Sequence, residues 1–135
     1  MEKLIIQGTK STPYVCFDQA SDTFTIRGES YPENTAAFFT PVFAWLEEFL
    51  TSEQSQRLVL DFELLYFNSS SSKALFNMFS MFERFILQGK EISVNWRYQV
   101  DNDTVKECGE EFKEDAPDLE FNLVEIEKSS RSWTV

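Results

Sequence analysis

The chain has 135 residues, 42% of them hydrophobic, with 14 phenylalanines, no histidine and a formal net charge of −11. That is one domain's length, enough to bury roughly two-thirds of the unfolded surface, and the acidic balance disfavours nucleic acid and anionic membranes as partners. Without histidine, these residues carry no Ser-His-Asp or Cys-His catalysis, no HExxH zinc site and no phosphohistidine relay.

Residues 4–7 read as a short strand stopped by Gly8. Residues 14–18 and 23–28 alternate about a polar connection at 19–22, the pattern of a hairpin. A turn at 30–34 leads into a helix predicted to reach about residue 50, with Phe39, Val42, Phe43, Leu46, Phe49 and Leu50 on one face. Pro41 leaves two readings: Thr40 caps a helix that begins at Pro41, or a helix from Thr35 kinks there. Residues 57–61 form a central strand free of Gly and Pro, and 64–67 carry it toward Asn68 and four serines, Ser69, Ser70, Ser71 and Ser72.

The spacing predicts the next helix over about residues 72–88, with Leu75, Met78, Phe79, Phe82, Phe85 and Ile86 inward and Gly89 as its C-terminal cap. Residues 91–97 read as a strand with Ile92, Val94 and Trp96 on one face. Asp103 is expected to cap a short helix with Val105, Cys108 and Phe112 inward and Glu107, Glu110, Glu111 and Glu114 outward; Pro117 ends it, and 119–126 form the last strand. The order βββαβαβαβ predicts a single α/β domain with a central mixed sheet: an antiparallel early edge, then right-handed parallel crossovers. The domain is expected over residues 1–127, with a loose, locally basic tail at 128–135.

The serine run places hydroxyls where a buried strand ends and a helix begins. Free backbone N–H groups and the positive end of the helix dipole meet there, a setting that accepts a phosphate and equally a place for plain helix capping. Asp61 and Glu63 flank the end of the central strand and offer either Mg²⁺ ligands and an acid–base pair or a solvated strand end. No third ligand or phosphate-binding loop accompanies them, and no GxGxxG or Walker motif occurs. Tyr31, Tyr66, Phe67 and Tyr98 are candidate interface aromatics; Phe67, outside any clean alternation, is an exposed anchor or a core residue. The acidic helix face over 107–115 is a docking surface for a basic partner or simply a solvated face.

Cys16 and Cys108 form no CxxC pair and read as small core residues in a reducing compartment. No segment approaches the ~18 apolar residues of a membrane span, and residues 1–6 lack the apolar core of a signal peptide. A cytoplasmic protein without metal or cofactor is expected.

Four blocks, IIQGTKSTP (5–13), GESYPENTAAFF (28–39), LDFELLYFNSSSSKAL (60–75) and WRYQVDNDTVKECGEEFKED (96–115), cover nearly the whole chain in order. With them the chain resembles the SiaC family of bacterial regulatory phosphoproteins, whose YPEN and YFNSSS blocks are the specific ones. The resemblance implies a STAS-like fold, that of anti-sigma factor antagonists, in which a hydroxyl of a strand-to-helix turn is phosphorylated. It places the phosphoacceptor directly after the asparagine, at Ser69, with Ser70 and Ser71 as alternatives, and the partner-binding surface around Tyr66, Phe67, Asn68, Ser70 and Lys73. It implies a cognate serine/threonine kinase, a PP2C-type phosphatase, and a diguanylate cyclase that the unmodified protein binds and activates, raising cyclic di-GMP and linking it to biofilm formation and aggregation. Two other readings stand beside this switch: a STAS-like anti-sigma factor antagonist, and a small enzyme or ligand carrier built on Asp61 and Glu63.

Overall fold

In a computed structural model, which describes residues 2–21, 23–55 and 57–128, the elements follow as β1 (Leu4–Ile6), β2 (Tyr14–Phe17), β3 (Phe24–Ser30), α1 (Thr35–Thr51), β4 (Arg57–Phe67), α2 (Ser69–Leu87), β5 (Glu91–Gln99), α3 (Asp103–Asp115) and β6 (Glu120–Ile126). The strands form one six-stranded sheet in the order β1-β2-β3-β4-β5-β6. β1, β2 and β3 pair antiparallel, whereas β3–β4, β4–β5 and β5–β6 pair parallel. A parallel pair cannot be closed by a tight turn, and the helices supply the crossovers. The mixed sheet and the element order are those expected. Of the predicted tail, all but Lys128 lies outside the described residues.

The core follows from strand periodicity. Val15 and Phe17, Phe24 and Ile26, Leu58, Leu60, Phe62 and Leu64, and Ile92, Val94 and Trp96 are buried at every second position. They share one cluster with the buried faces of the helices. Residues between them, such as Cys16, Thr25, Asp61 and Asn95, lie on the opposite face and are half-buried. Cys16 is therefore not a core residue as expected, because its neighbours Val15 and Phe17 take the inward positions of β2. Cys108 packs at the rim of the core and is also half-buried.

Of the two readings of α1, the start at Thr35 holds, while the starts of α2 and α3 differ from expectation. Asn34 caps α1, its side chain accepting from Ala37 N at 3.0 Å, and the helix runs through Pro41 without restarting there. Pro41 is exposed and has no N–H to donate, while the Thr40 hydroxyl donates to Ala36 O at 2.6 Å. α2 begins at Ser69, three residues before the expected start, because Asn68 is its cap. Asn102, not Asp103, caps α3, accepting from Val105 N at 3.2 Å. Its amide also donates to Leu65 O at 3.0 Å, which ties the start of α3 to β4. Gly89 follows α2 with φ of 101°, a left-handed conformation suited to glycine, and Lys90 N donates back to Phe85 O at 3.1 Å.

Candidate functional site

The end of β4 is set by a bulge. Gly28 pairs with Leu64, but the next residue, Glu29, pairs with Tyr66, leaving Leu65 as the extra residue on β4. Gly28 has φ of 116°, which a residue with a side chain adopts only under strain. One extra residue reverses the side-chain phase of a strand. Without it Tyr66 would continue the inward series Leu58, Leu60, Phe62, Leu64. With it Phe67 turns inward and Tyr66 outward.

This resolves the two readings of Phe67. Its ring packs on Trp96 and Phe112, with centroids at 5.8 and 6.4 Å, so it belongs to the rim of the core. The exposed aromatic is Tyr66, 51% accessible, which meets Tyr31 edge to face at 5.8 Å. Tyr98 is buried and drops out of the interface set.

The serine run is now divided. Asn68 N donates to Ser30 O at 3.0 Å, and its side chain accepts from Ser71 N at 2.9 Å, which commits the Asn68 oxygen to capping. Ser69 and Ser70 open the first turn of α2 with both side chains exposed. Ser71 is 0% accessible, and its hydroxyl shares a 2.8 Å hydrogen bond with the buried Ser30 hydroxyl. Ser71 is thus corrected from an alternative acceptor to a staple joining the end of β3 to the start of α2. Ser71→Ala is expected to cost about 1–3 kcal/mol, because it strands a buried hydroxyl. Ser30→Ala/Ser71→Ala should cost clearly less than the two single changes added together. Denaturant unfolding of the four proteins checks this; strict additivity would deny the pair its role.

Ser69 and Ser70 face different grooves. Ser69 lines the one between α2 and α3, with Lys73, Phe76, Cys108, Glu111 and Asp115 around it. Ser70 lines the one between α1 and α2, whose floor includes Phe39 and Phe43. Phe76, 44% accessible, was not among the sequence-predicted site residues. Its signal was present: it falls seven residues after Ser69, on the same helical face, and outside the inward set of α2.

Asp61 and Glu63 do not mark the strand end. β4 continues to Phe67, and both carboxylates lie mid-strand on the face away from the helices. Asn95 donates to Asp61 Oδ1 at 2.7 Å, Arg97 to Asp61 Oδ2 at 3.4 Å, and Asn122 to Asn95 Oδ1 at 3.1 Å. This ladder spends the Asp61 carboxylate on cross-strand bonds. Among the described residues no group of three or more His, Cys, Asp or Glu is placed to hold a metal ion. Burial, then the carboxylates of Glu111 and Glu107, push the Cys108 thiol above its usual range, so its thiolate is scarce at neutral pH.

A family model described as SiaC family regulatory phosphoprotein matches residues 6–126. The chain belongs to the SiaC family. An uncharacterised protein of Pseudomonas aeruginosa (strain UCBPP-PA14) is 40% identical over 115 residues, 85% of this chain and 90% of that protein. The crystal structure of apo-SiaC from P. aeruginosa matches with a TM-score of 0.78 at 37% identity, covering 93% of this chain and 98% of that one. A chain in the crystal structure of the diguanylate cyclase SiaD in complex with its activator SiaC, also from P. aeruginosa, matches with a TM-score of 0.84 at 39% identity, covering 91% and 99%. No helix among the described residues is long and apolar enough to cross a membrane. For this SiaC family member, Tyr66, Ser69 and Ser70 are exposed where β4 meets α2, and Phe76 lines the groove of Ser69 further along the helix.

Proposed function

We propose that this chain is a non-catalytic phosphorylation switch of the cytoplasm. A serine/threonine kinase modifies Ser69, a PP2C-type phosphatase reverses it, and the unmodified form binds and activates a diguanylate cyclase, raising cyclic di-GMP and with it biofilm formation. One observation carries the reading: Ser69 is exposed in the first turn of α2, between the exposed aromatics Tyr66 and Phe76, in a chain whose fold matches a cyclase activator at 39% identity. The N–H groups of that turn and the helix dipole accept the added charge of about −1.5 to −2 with little rearrangement. The engagement of Asp61 by Asn95 and Arg97 supports a binding role over a carboxylate enzyme. Tyr66, Ser70 and Lys73 belong to the proposed partner surface, while Phe67 and Asn68 support it from beneath.

The experiment is incubation with the cognate kinase and ATP, read by intact mass and peptide mapping. The expected result is one added phosphate, lost in Ser69→Ala and retained in Ser70→Ala. Persistence of the phosphate in Ser69→Ala would move the acceptor to Ser70. The partner half is tested by cyclic di-GMP formation by the cyclase with and without the unmodified protein; an unchanged rate would refute it.

A further inference from the structure

Lys73 stands on the ridge between the two grooves that flank the phosphoacceptor. It lines the α2–α3 groove beside Ser69, Glu111 and Asp115, and the α1–α2 groove beside Ser70 and Glu47. It is the only cation among the described residues lining either groove, and its exposed ammonium has no ion-pair partner among the described residues. It also lies four residues after Ser69 on α2, so the two side chains are neighbours on one helical face. An acidic group four residues N-terminal to a lysine is the favourable orientation for such a pair.

We propose that Lys73 is the residue that reads the Ser69 phosphate. The proposal rests on Ser69 being the acceptor. In the unmodified protein the ammonium is available to a carboxylate on the bound partner, beside the apolar contacts of Phe76 and the α1–α2 groove floor. Phosphorylation places a dianion one turn away, which takes the ammonium into a pair within α2. The ridge then loses its one cation: Lys73 is neutralised, and Glu47, Glu111, Asp115 and the remaining phosphate charge face the partner's carboxylate with nothing positive between them. Attraction becomes repulsion without a change of backbone.

The test uses the full chain with phosphoserine encoded at position 69, so that pairing is measured independently of kinase choice. The phosphate's second dissociation, followed by ³¹P NMR against pH, is expected about 0.3 of a pH unit lower in the parent than in Lys73→Gln, with Lys73→Arg close to the parent. The ratio of partner Kd between phosphorylated and unmodified protein should shrink about threefold in Lys73→Gln. The same midpoint in the parent and Lys73→Gln, or an unchanged ratio, overturns the role of Lys73 while leaving Ser69 as acceptor. Peptide mapping that finds no kinase-dependent phosphate on Ser69 removes the acceptor, and the proposal with it.

Discussion

Gly109→Ala is expected to destabilise the fold by about 2 kcal/mol, even though alanine favours helix by roughly 1 kcal/mol over glycine. A Cβ at this position of α3 would sit 2.4 Å from Trp96 Cδ1, 2.5 Å from Trp96 Nε1 and 2.8 Å from Leu123 Cδ2. The indole cannot swing away cheaply. It is 1% accessible, donates to Val105 O at 2.9 Å, and packs against Phe62, Phe67, Phe112 and Phe121. The helix must lift instead, which loosens Val105 and Phe112 on the same inward face. Thermal unfolding should show a midpoint lower by roughly 5–10 °C. Trp96→Val removes both clashing ring atoms, Cδ1 and Nε1, so the double variant should cost less than the sum of its parts. A Gly109→Ala protein as stable as the parent would mean that α3 does not need this close approach.

Phosphorylation of Ser69 is expected to leave the fold intact and to weaken the proposed partner complex by at least about tenfold, or ~1.4 kcal/mol. Ser69 is exposed, so in the free protein the new charge stays hydrated. Next to the N-terminus of α2 it gains ~0.3–1 kcal/mol from the helix dipole. At an interface the same dianion must shed water near Glu111 and Asp115, which line its groove; Lys73 offsets only part of its charge, and desolvating the remainder costs several kcal/mol. Calorimetry with fully phosphorylated and unmodified protein, beside melting curves of both, separates the two effects. Ser69→Asp, with one charge and fewer acceptor oxygens, should fall between them. Equal affinities would eliminate the switch; a collapsed melting curve would mean that it works by unfolding.

Much of this was legible because periodicity is a local property. The inward sets of α1, α2 and β5, the parallel crossovers implied by alternating strands and helices, and the strand-to-helix junction at Asn68 follow from residue order alone. The starts of α2 and α3 were misplaced because Asn68 and Asn102 each cap one residue before the first helical position, and the serines and Asp103 that follow are good caps themselves.

The sequence by itself determined the mixed α/β sheet, the place of an exposed hydroxyl after Asn68, and the chemistry missing with histidine. Three features were decided only by tertiary structure. The bulge at Leu65 depends on Gly28 in the neighbouring strand, and no pattern within β4 announces the reversal that sends Phe67 in and Tyr66 out. Ser71 looks like its neighbours in the run until Ser30, 41 residues away, meets its hydroxyl in the core. Asp61 reads as a strand-end carboxylate until Asn95 and Arg97, on the adjacent strand, bind both its oxygens. In each case a side chain's partner comes from a distant segment, and burial assigns its role only once the sheet has brought the two together.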